Sequence, residues 1–427
     1  MSYYSASIMT EVINPVFDKS KLRSEFRLDP DMLYSSYMRV MNLGVYATLG
    51  SFENNRRYNL LSGVCGMVKN IFLYDDKKVL DQVLNYKDYG GFKNFNNSNS
   101  MNMDYSKNLK KHGLGFVYDT DNVDIDDQKI TTLVKEFNQF TGGHIPGVEE
   151  LNTPVGYLDL REVFPLLKSL EFLPTSLFKN LKVVIEYDVN DSLSISENNT
   201  SAPVGTTTPI LVVDKIVDDV FVNKWVNEFK GVTWNCLELE TVELSEPTVG
   251  QIASGVQSIK YRLNGFSDKT LSTLLLKKKP LSTVSQFYSD AGSLSLVNET
   301  IQLSINGSNL FPNEGITGYN QRLALLNDSF GNCNLTAASN IPSFPDVENS
   351  IENFEGYVGE LDYFGCIVNK KINSLDVNFS RALKLSNANE TVNVEDQYLQ
   401  AVELQFWGSV SKSLFVGKNQ TYQVTYN

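Results

Sequence analysis

Histidine is the side chain on which most nucleophilic and acid–base mechanisms depend near neutral pH, and this chain of 427 residues contains only two. His112 follows a pair of lysines and His144 follows a pair of glycines, so both are predicted to lie in loops. No GxSxG pattern and no other nucleophile motif accompanies either residue. Each is interpreted as an ordinary surface histidine, and the sequence offers no catalytic residue.

Two stretches could in principle hold an ion or a phosphate group. The acidic run DTDNVDIDD, residues 119–127, is rich in oxygen ligands, but an EF-hand loop starting at Asp119 needs glycine at the sixth position, where Asp124 stands. Because the run directly precedes the best helix candidate, helix capping is favoured over a loosely built cation site. The glycine-rich turn in HGLGFVYD, residues 112–119, belongs to no P-loop. We therefore predict no metal and no cofactor.

Cysteines and carboxylates give no stronger indication of chemistry. The four cysteines, Cys65, Cys236, Cys333 and Cys366, form no CxxC pair and are predicted to be buried free thiols. Carboxylate pairs of the kind that hydrolyse glycosides stay open, since their separation is not readable from a sequence. Nothing positive supports them, and the chain is predicted not to be an enzyme.

Charge argues against a nucleic-acid partner. The formal net charge is −13, whereas binding to phosphates requires a basic face. The basic run LLLKKKP, residues 274–280, lacks interleaved aromatic residues and is predicted to be the solvated end of an edge strand, where lysines block unwanted pairing. No specific nucleic-acid binding is therefore expected.

The N-terminus carries no recognisable targeting signal. The segment MSYYSASIMTEVINP has neither the basic nor the apolar region of a signal peptide, and no apolar run approaches the roughly 18 residues of a membrane helix. We expect a soluble, intracellular chain that is made without a secretion signal.

Strand patterns dominate the chain. In NCLELETVELSE, Leu237 and Leu239 lie on one face, and Val242 and Leu244 continue the apolar set after a change of phase, as a β-bulge would produce. LQAVELQFW and TYQVTY near the C-terminus alternate in the same way. Clusters of Gly, Asn, Asp, Ser and Pro separate these segments, which is typical of an all-β sandwich or barrel.

Two helix candidates lie between the strands. One is DDQKITTLVKEFNQFTGG, residues 126–143, and the other is residues 218–231, where Phe221, Trp225 and Phe229 are spaced four apart. The second candidate follows a strand near mid-chain and suggests a domain junction. The predicted domains are an N-terminal arm at 1–19 without a core pattern, a first sandwich at 20–220 and a second at 221–427.

Each half contains roughly eight strand candidates joined by long, irregular connections, which favours jelly rolls over propeller blades or a meander. Residues 93–113 and 190–208 are too polar for a core and are predicted to be surface loops. The fold class is therefore all-β: two eight-stranded jelly-roll sandwiches side by side, with a few short helices in the connections.

One stretch of 31 residues is rich in aromatics and prolines and contains no residue set that looks catalytic. LDLREVFPLLKSLEFLPTSLFKNLKVVIEYD, residues 158–188, resembles a segment typical of double jelly-roll major capsid proteins of the adenovirus-like lineage, the polinton-like viruses, adintoviruses and virophages. In that family a similar FP corner and short helix lead into a hydrophobic strand of the first roll. MVKNIFLYDDKKVLDQV at 67–83 and FPNEGITGYNQRLALLNDSFGN at 311–332 are also similar. The order of these three stretches along the chain supports a resemblance that covers most of residues 20–427.

The resemblance implies a structural role. It predicts a major capsid protein that forms hexon-like, pseudo-hexagonal homotrimeric capsomers, which tile the icosahedral shell of a DNA virus together with minor capsid and penton proteins. It implies location in the virion and contributes no catalytic, cofactor-binding or metal-binding residues. The N-terminal arm is expected to cross a neighbour and to become ordered on assembly. The chain is shorter than that of virophage relatives, which implies lower towers on the capsomer.

Two other classes stay open at this point. A carbohydrate-binding or fibre-type β-sandwich protein would share the strands and the aromatics, although only three tryptophans are present and Trp225 and Trp407 lie in apolar patterns. A β-sandwich hydrolase would need the acid pair or metal site for which the sequence gives no sign. The micrograph of a purified particle would separate these classes.

Overall fold

The computed structural model describes fifteen stretches of the chain, and all structural statements concern these residues. They are 7–16, 23–46, 57–58, 66–90, 92, 156–188, 193–194, 205–206, 208–281, 299–312, 315–317, 319–330, 363–383, 401–417 and 421–427. The helix predicted at 126–143 and the loop predicted at 93–113 lie outside them.

The described elements are mostly strands, joined by short helices. The strands up to mid-chain are β1 (Ile8–Ile13), β2 (Arg23–Arg27), β3 (Leu33–Leu43), β4 (Val45–Tyr46), β5 (Arg57–Tyr58), β6 (Val68–Asp75), β7 (Lys78–Val83), β8 (Gly156–Asp159), β9 (Phe172–Pro174), β10 (Leu181–Tyr187), β11 (Leu193–Ser194), β12 (Gly205–Thr206) and β13 (Ile210–Ile216). The later strands are β14 (Gly231–Leu244), β15 (Val256–Arg262), β16 (Thr270–Pro280), β17 (Glu299–Ile305), β18 (Ser308–Asn309), β19 (Tyr363–Lys371), β20 (Leu375–Ala382), β21 (Val402–Val416) and β22 (Tyr422–Tyr426). The helices are α1 (Leu160–Val163), α2 (Pro165–Ser169), α3 (Asp219–Glu228), α4 (Val249–Ser254) and α5 (Tyr319–Phe330), with 3₁₀ turns at Thr175–Leu177 and Asn264–Phe266.

Four larger antiparallel sheets are built from these strands. Sheet A has the order β1-β13-β3-β8, with β9 also paired to β3, and sheet B has the order β2-β10-β6-β7. Sheet C has the order β14-β21-β16-β19, with β22 also paired to β21, and sheet D has the order β15-β20-β17-β18. Strands that are distant in sequence lie next to one another, as Greek-key jelly rolls require. The predicted all-β fold of two jelly rolls with short connecting helices is confirmed.

Contacts divide the chain into two compact units. The first unit comprises residues 1–237 and 411–427, and the second comprises residues 238–410. The domain bounds 1–19, 20–220 and 221–427 stay a prediction. What the structure adds is that the last residues of the chain group with the first unit, because β22 and the end of β21 pack there.

Part of the predicted N-terminal arm forms a strand in the isolated chain. Every residue of β1 pairs with β13, from Ile8 opposite Ile216 to Ile13 opposite Leu211. The side chains of Ile8, Met9 and Val12 are exposed, so the arm indeed lacks a core pattern. Main-chain hydrogen bonds to β13 hold this part of the arm on sheet A. The ordering of the arm on assembly stays a prediction.

The segment 190–208, which was predicted to be a surface loop, contains two short strands, and its surface location stays a prediction. Within it β11 pairs with β5 and β12 pairs with β4, each as a two-residue antiparallel ladder. These ladders are too short for a hydrophobic alternation to show in the sequence, so only the partner strand reveals them.

The predicted mid-chain helix is α3. Asp218 caps it, because its carboxylate accepts hydrogen bonds from the backbone amides of Val220 at 3.0 Å and Phe221 at 3.1 Å. The side chains of Phe221, Val222 and Trp225 pack against a buried cluster on sheet A, formed by Leu33, Phe172 and Ile216. The four-residue spacing of aromatics in the sequence therefore corresponds to the buried face of this helix.

Strand β14 buries the same face in both of its parts. Trp234 and Cys236 are buried in the first part, and Val242 and Leu244, which have the same parity, belong to the core of the second unit. Leu237 is also buried but Leu239 is only partly buried, so the burial pattern does not show the change of phase that the sequence predicted. The strand begins at Gly231, whose φ of 139° is accessible to glycine alone. A Cβ there would lie 2.1 Å from the carbonyl oxygen of Leu414.

The tight packing at Gly408 on β21 predicts a stability difference between two glycines. A Cβ on Gly408 would lie 2.3 Å from the Phe266 ring, whereas a Cβ on Gly250 in α4 would meet nothing closer than 4.0 Å. We expect Gly408→Ala to destabilise the protein by about 1–3 kcal/mol through overpacking. Gly250→Ala should be neutral or stabilising, because alanine favours a helix. Thermal unfolding of both variants tests this, and equal melting temperatures would contradict the packing described.

Candidate functional site

Several residues that the sequence analysis considered for chemistry lie outside the described residues. They are His112, His144, the acidic run 119–127, Cys65 and Cys333. Their predicted roles as surface histidines, capping acids and free thiols stay predictions.

The two described cysteines are buried free thiols, as predicted. Cys236 and Cys366 form no disulfide. Burial raises the pKa of the Cys366 thiol to about 12, so this thiol is protonated and a poor nucleophile at neutral pH. Within the described ranges, no group of three or more His, Cys, Asp and Glu residues is placed to hold a metal ion. In the same ranges, no helix has the length and apolar character needed to cross a membrane.

Two of the three lysines at the end of β16 are buried and the strand is flanked on both sides, which overturns the prediction of a solvated edge. Strand β16 lies inside sheet C and pairs with β21 on one side and β19 on the other. Lys277 and Lys278 are 0% and 3% exposed. The sequence prediction was wrong because three consecutive lysines resemble a strand end, and only the sheet order shows that neighbouring strands flank them.

Lys278 forms a buried ion pair with a residue of the facing sheet. It follows Leu274 and Leu276 on the inner face of β16, and both leucines belong to the core. Its ammonium donates a hydrogen bond to the carboxylate of Glu299, the first residue of β17 in sheet D. The side chains are 4% and 0% exposed, so the pair is held in the interior of the second unit.

The Glu299 carboxylate also lies in a polar row across sheet D. Glu299 on β17 stands opposite Arg381 on β20, which stands opposite Gln257 on β15. The Nε of Arg381 donates to Oε1 of Gln257 at 2.7 Å, and Nε2 of Gln257 donates to the Ser245 carbonyl at 2.9 Å. Desolvation lowers the pKa of the Arg381 guanidinium, and the negative charge of Glu299 partly opposes this.

A third cation approaches the same carboxylate from α5. Arg322 is 5% exposed, and its Nη2 donates to the Thr317 carbonyl at 3.0 Å. Desolvation lowers the pKa of Arg322, and Glu299 again opposes the shift. We call Lys278, Glu299, Arg381, Arg322 and Gln257 the charged cluster.

The arrangement of the charged cluster supports a structural role. Its carboxylate is bonded to a lysine instead of being poised as a general base, and its guanidinium groups are bonded to an amide and a carbonyl oxygen. A shift of one residue in any of its strands would turn the charged side chain to the opposite face and leave its partner buried without a counter-charge. The cluster therefore specifies the register of β16, β17 and β20.

Sequence inspection missed this cluster, although the signal was present. In β20, Leu375, Val377 and Phe379 alternate inward, and continuing the period of two places Arg381 on the same face. In β17, Glu299 likewise precedes the inward series Ile301, Leu303 and Ile305. A charge in phase with an apolar series is the sequence sign of a buried ion pair.

The stretch at 158–188 forms a compact corner of the first unit. Asp159 caps α1 by accepting from the Arg161 amide at 3.0 Å. Phe164 is fully buried, and Pro165 begins α2 at a position where its missing N–H costs nothing. The buried carboxylate of Asp81 on β7 accepts from the Leu166 amide at 2.8 Å.

This corner connects β8 of sheet A with β10 of sheet B. The predicted hydrophobic strand LKVVIEY is β10, which pairs with β2 on one side and β6 on the other. Aromatics, prolines and a buried aspartate thus hold the corner in one conformation. The stretch serves to position sheets.

The charged cluster predicts unequal effects of two adjacent lysines. Lys278→Met leaves the Glu299 carboxylate buried without its lysine and should cost about 3–5 kcal/mol. The matched control is Lys279→Met, which removes a partly exposed pair with Glu403 at 3.3 Å and should cost less than about 1 kcal/mol. Chemical denaturation followed by intrinsic fluorescence measures both losses. Similar losses for the two variants would refute the assignment of Lys278 to a buried pair.

The fold is similar to that of several viral capsid proteins of known structure. The VP54 protein of PBCV-1, fitted into a reconstruction of the virophage Sputnik, matches with a TM-score of 0.55 and 10% identity over 100% of this chain and 98% of its own. The mavirus major capsid protein matches with a TM-score of 0.51 and 9% identity over 99% of this chain and 90% of its own. The Faustovirus major capsid protein matches with a TM-score of 0.52 and 7% identity over 96% of this chain and 91% of its own.

No protein-family model and no curated protein matches the sequence. With identities of 10% or less, the structural similarity shows the fold. Each alignment spans nearly the whole of both chains and therefore includes both jelly rolls. The chain therefore has the double jelly-roll fold of these viral major capsid proteins.

Proposed function

We propose that the protein is a structural major capsid protein. It forms homotrimeric, pseudo-hexagonal capsomers that tile an icosahedral viral shell. The observation that carries this proposal is the near-complete match of both jelly rolls, over 90% or more of each chain, to major capsid proteins of mavirus and Faustovirus. The proposed role is to fill and seal a surface, and it requires no catalytic group.

The double fold supports the proposed trimer. Three chains around a threefold axis contribute six similar sandwiches, which produces a block with six nearly equal sides. Such a block packs in a hexagonal lattice with equivalent neighbours. This geometry gives a reason why one chain repeats the sandwich.

Composition and surface also support an assembled state. Charged residues make up 20% of the sequence, which is low for a chain that is solvated on all sides. Apolar side chains are exposed on separate elements, with Val220 on α3 at 80%, Val249 on α4 at 85% and Phe415 on β21 at 56%. Contacts inside a trimer should be large and apolar, and contacts between trimers should be smaller and more polar.

The remaining parts of the proposal concern partners and location. The protein would act in the virion, would bind copies of itself, and would contact minor capsid and penton proteins at the places where the hexagonal lattice ends. The net charge of −13 supports a shell component without specific nucleic-acid binding.

Mass measurement and imaging test the proposal. We expect sedimentation or native mass spectrometry of the purified chain to give three copies when assembly is blocked, and electron microscopy to show closed shells or hexagonal sheets when it is permitted. A stable monomer that never forms particles would contradict the proposal. Binding of a soluble glycan by such a monomer would instead favour a carbohydrate-binding β-sandwich protein.

A further inference from the structure

The C-terminal hairpin of the chain packs on one edge of sheet B. We define this hairpin as residues 411–427, which comprise the end of β21 and all of β22 and belong to the first unit. In sheet B, β7 is the last strand, and β6 is its paired neighbour among the described strands. An unprotected edge strand offers its backbone groups to other chains.

One contact of the hairpin is made by Tyr422 at the turn between β6 and β7. Its hydroxyl donates a hydrogen bond to the carboxylate of Asp75, the last residue of β6. The same carboxylate accepts from the backbone amides of Lys179 at 2.8 Å and Asn180 at 2.9 Å. The ring of Phe178 meets the Tyr422 ring edge-on at 5.0 Å between centroids. Desolvation, together with the negative charge of Asp75, raises the pKa of Tyr422, so the hydroxyl keeps its proton at neutral pH.

The second contact is made by Lys412 at an irregularity in β7. Val79 stands opposite Tyr74 and Asp81 stands opposite Leu73, so Leu80 is an extra residue on β7, as in a β-bulge. The ammonium of Lys412 donates to the Leu80 carbonyl at 3.0 Å and approaches the Val79 carbonyl at 3.4 Å. A bulge disrupts the ladder locally, and the lysine bonds carbonyl oxygens at that point.

Aromatic rings surround the lysine and exclude water. The Lys412 ammonium lies 5.9 Å from the centroid of the Trp234 ring and 5.2 Å from that of the Tyr426 ring. Lys412 is 6% exposed. Carbonyl oxygens and aromatic ring faces together stabilise the desolvated ammonium of Lys412, which fixes its position against β7.

We propose that the C-terminal hairpin is a latch that closes the β7 edge of the first jelly roll. Lys412 secures the bulge and Tyr422 secures the adjoining turn. These contacts join residues 332 and 347 positions apart in sequence, so the edge is completed only when distant parts of the chain meet. A chain in which the hairpin is displaced presents an open strand edge. The inference concerns the isolated chain and does not rest on the proposed function.

Hydrogen exchange of the full-length chain tests the latch. The variants are Lys412→Met, which removes the ammonium but keeps the length of the side chain, and Tyr422→Phe, which removes only the hydroxyl. The matched control is Gln423→Ala, since Gln423 is an exposed residue of the same strand. Amide exchange is measured in β7 and, for comparison, in β2, which forms the opposite edge of sheet B.

The latch predicts a local effect. Exchange in β7 should be faster by about tenfold or more for Lys412→Met and by about threefold to tenfold for Tyr422→Phe, because each loses a hydrogen bond that involves a charged group. Exchange in β2 should be unchanged, and Gln423→Ala should resemble the unaltered chain. The inference is overturned if β7 exchanges at its original rate in both variants. It is also overturned if β2 and β7 accelerate equally, since that result would indicate general destabilisation of the unit.

Discussion

The Glu299 carboxylate is the point at which the two sheets of the second jelly roll are joined by charge. A hydrophobic sandwich needs apolar side chains on its inner faces, but apolar contacts alone discriminate weakly between neighbouring registers of similar strands. A buried ion pair discriminates strongly, because a mismatched register leaves a charge in a medium of low polarity. Lys278 on sheet C bonds to this carboxylate, and Arg381 on sheet D stands opposite it in the ladder. Only one register of the surrounding strands brings these groups together, and that register also sets the packing of the core between the strands.

The first jelly roll uses a different means of fixing its sheets. Its corner at residues 158–188 combines a capped helical turn, a proline at the start of the next turn and the buried Asp81 carboxylate. Its sheet edges are closed by segments from the two ends of the chain: β1 pairs along β13, and the C-terminal hairpin bonds to β7. Both edge segments are held mainly by main-chain or polar contacts. Edge protection of this kind keeps a β-sandwich from pairing with other strands at random.

These devices account for several buried charges among the described residues. Lys277, Lys278, Arg381, Lys412 and Asp81 are all nearly inaccessible to solvent. In an enzyme such groups would be expected around a cleft, whereas here they lie within or between strands of a sheet. Groups placed in this way specify the register of the strands and protect their edges.

Local pattern was sufficient for the fold class and for several elements. The alternation in LKVVIEY predicted β10, and the aromatic spacing at 218–231 predicted α3. These features depend on neighbours a few residues apart, so the sequence by itself determines them. The resemblance of residues 158–188 to a segment of double jelly-roll capsid proteins predicted that the two sandwiches form a double jelly roll.

Tertiary structure alone decided which distant residues meet. Three lysines in a row carry no sign of whether strands flank them on both sides, and β16 was therefore wrongly predicted to be an edge. The pairing of β1 with β13 and the seating of Lys412 at the β7 bulge join residues that are hundreds of positions apart. Period-two patterns specify which face of a strand is buried but not its neighbour, because any strand of the same alternation satisfies them. The neighbour is selected by the packing of the whole sandwich, in which each buried charge must find its partner.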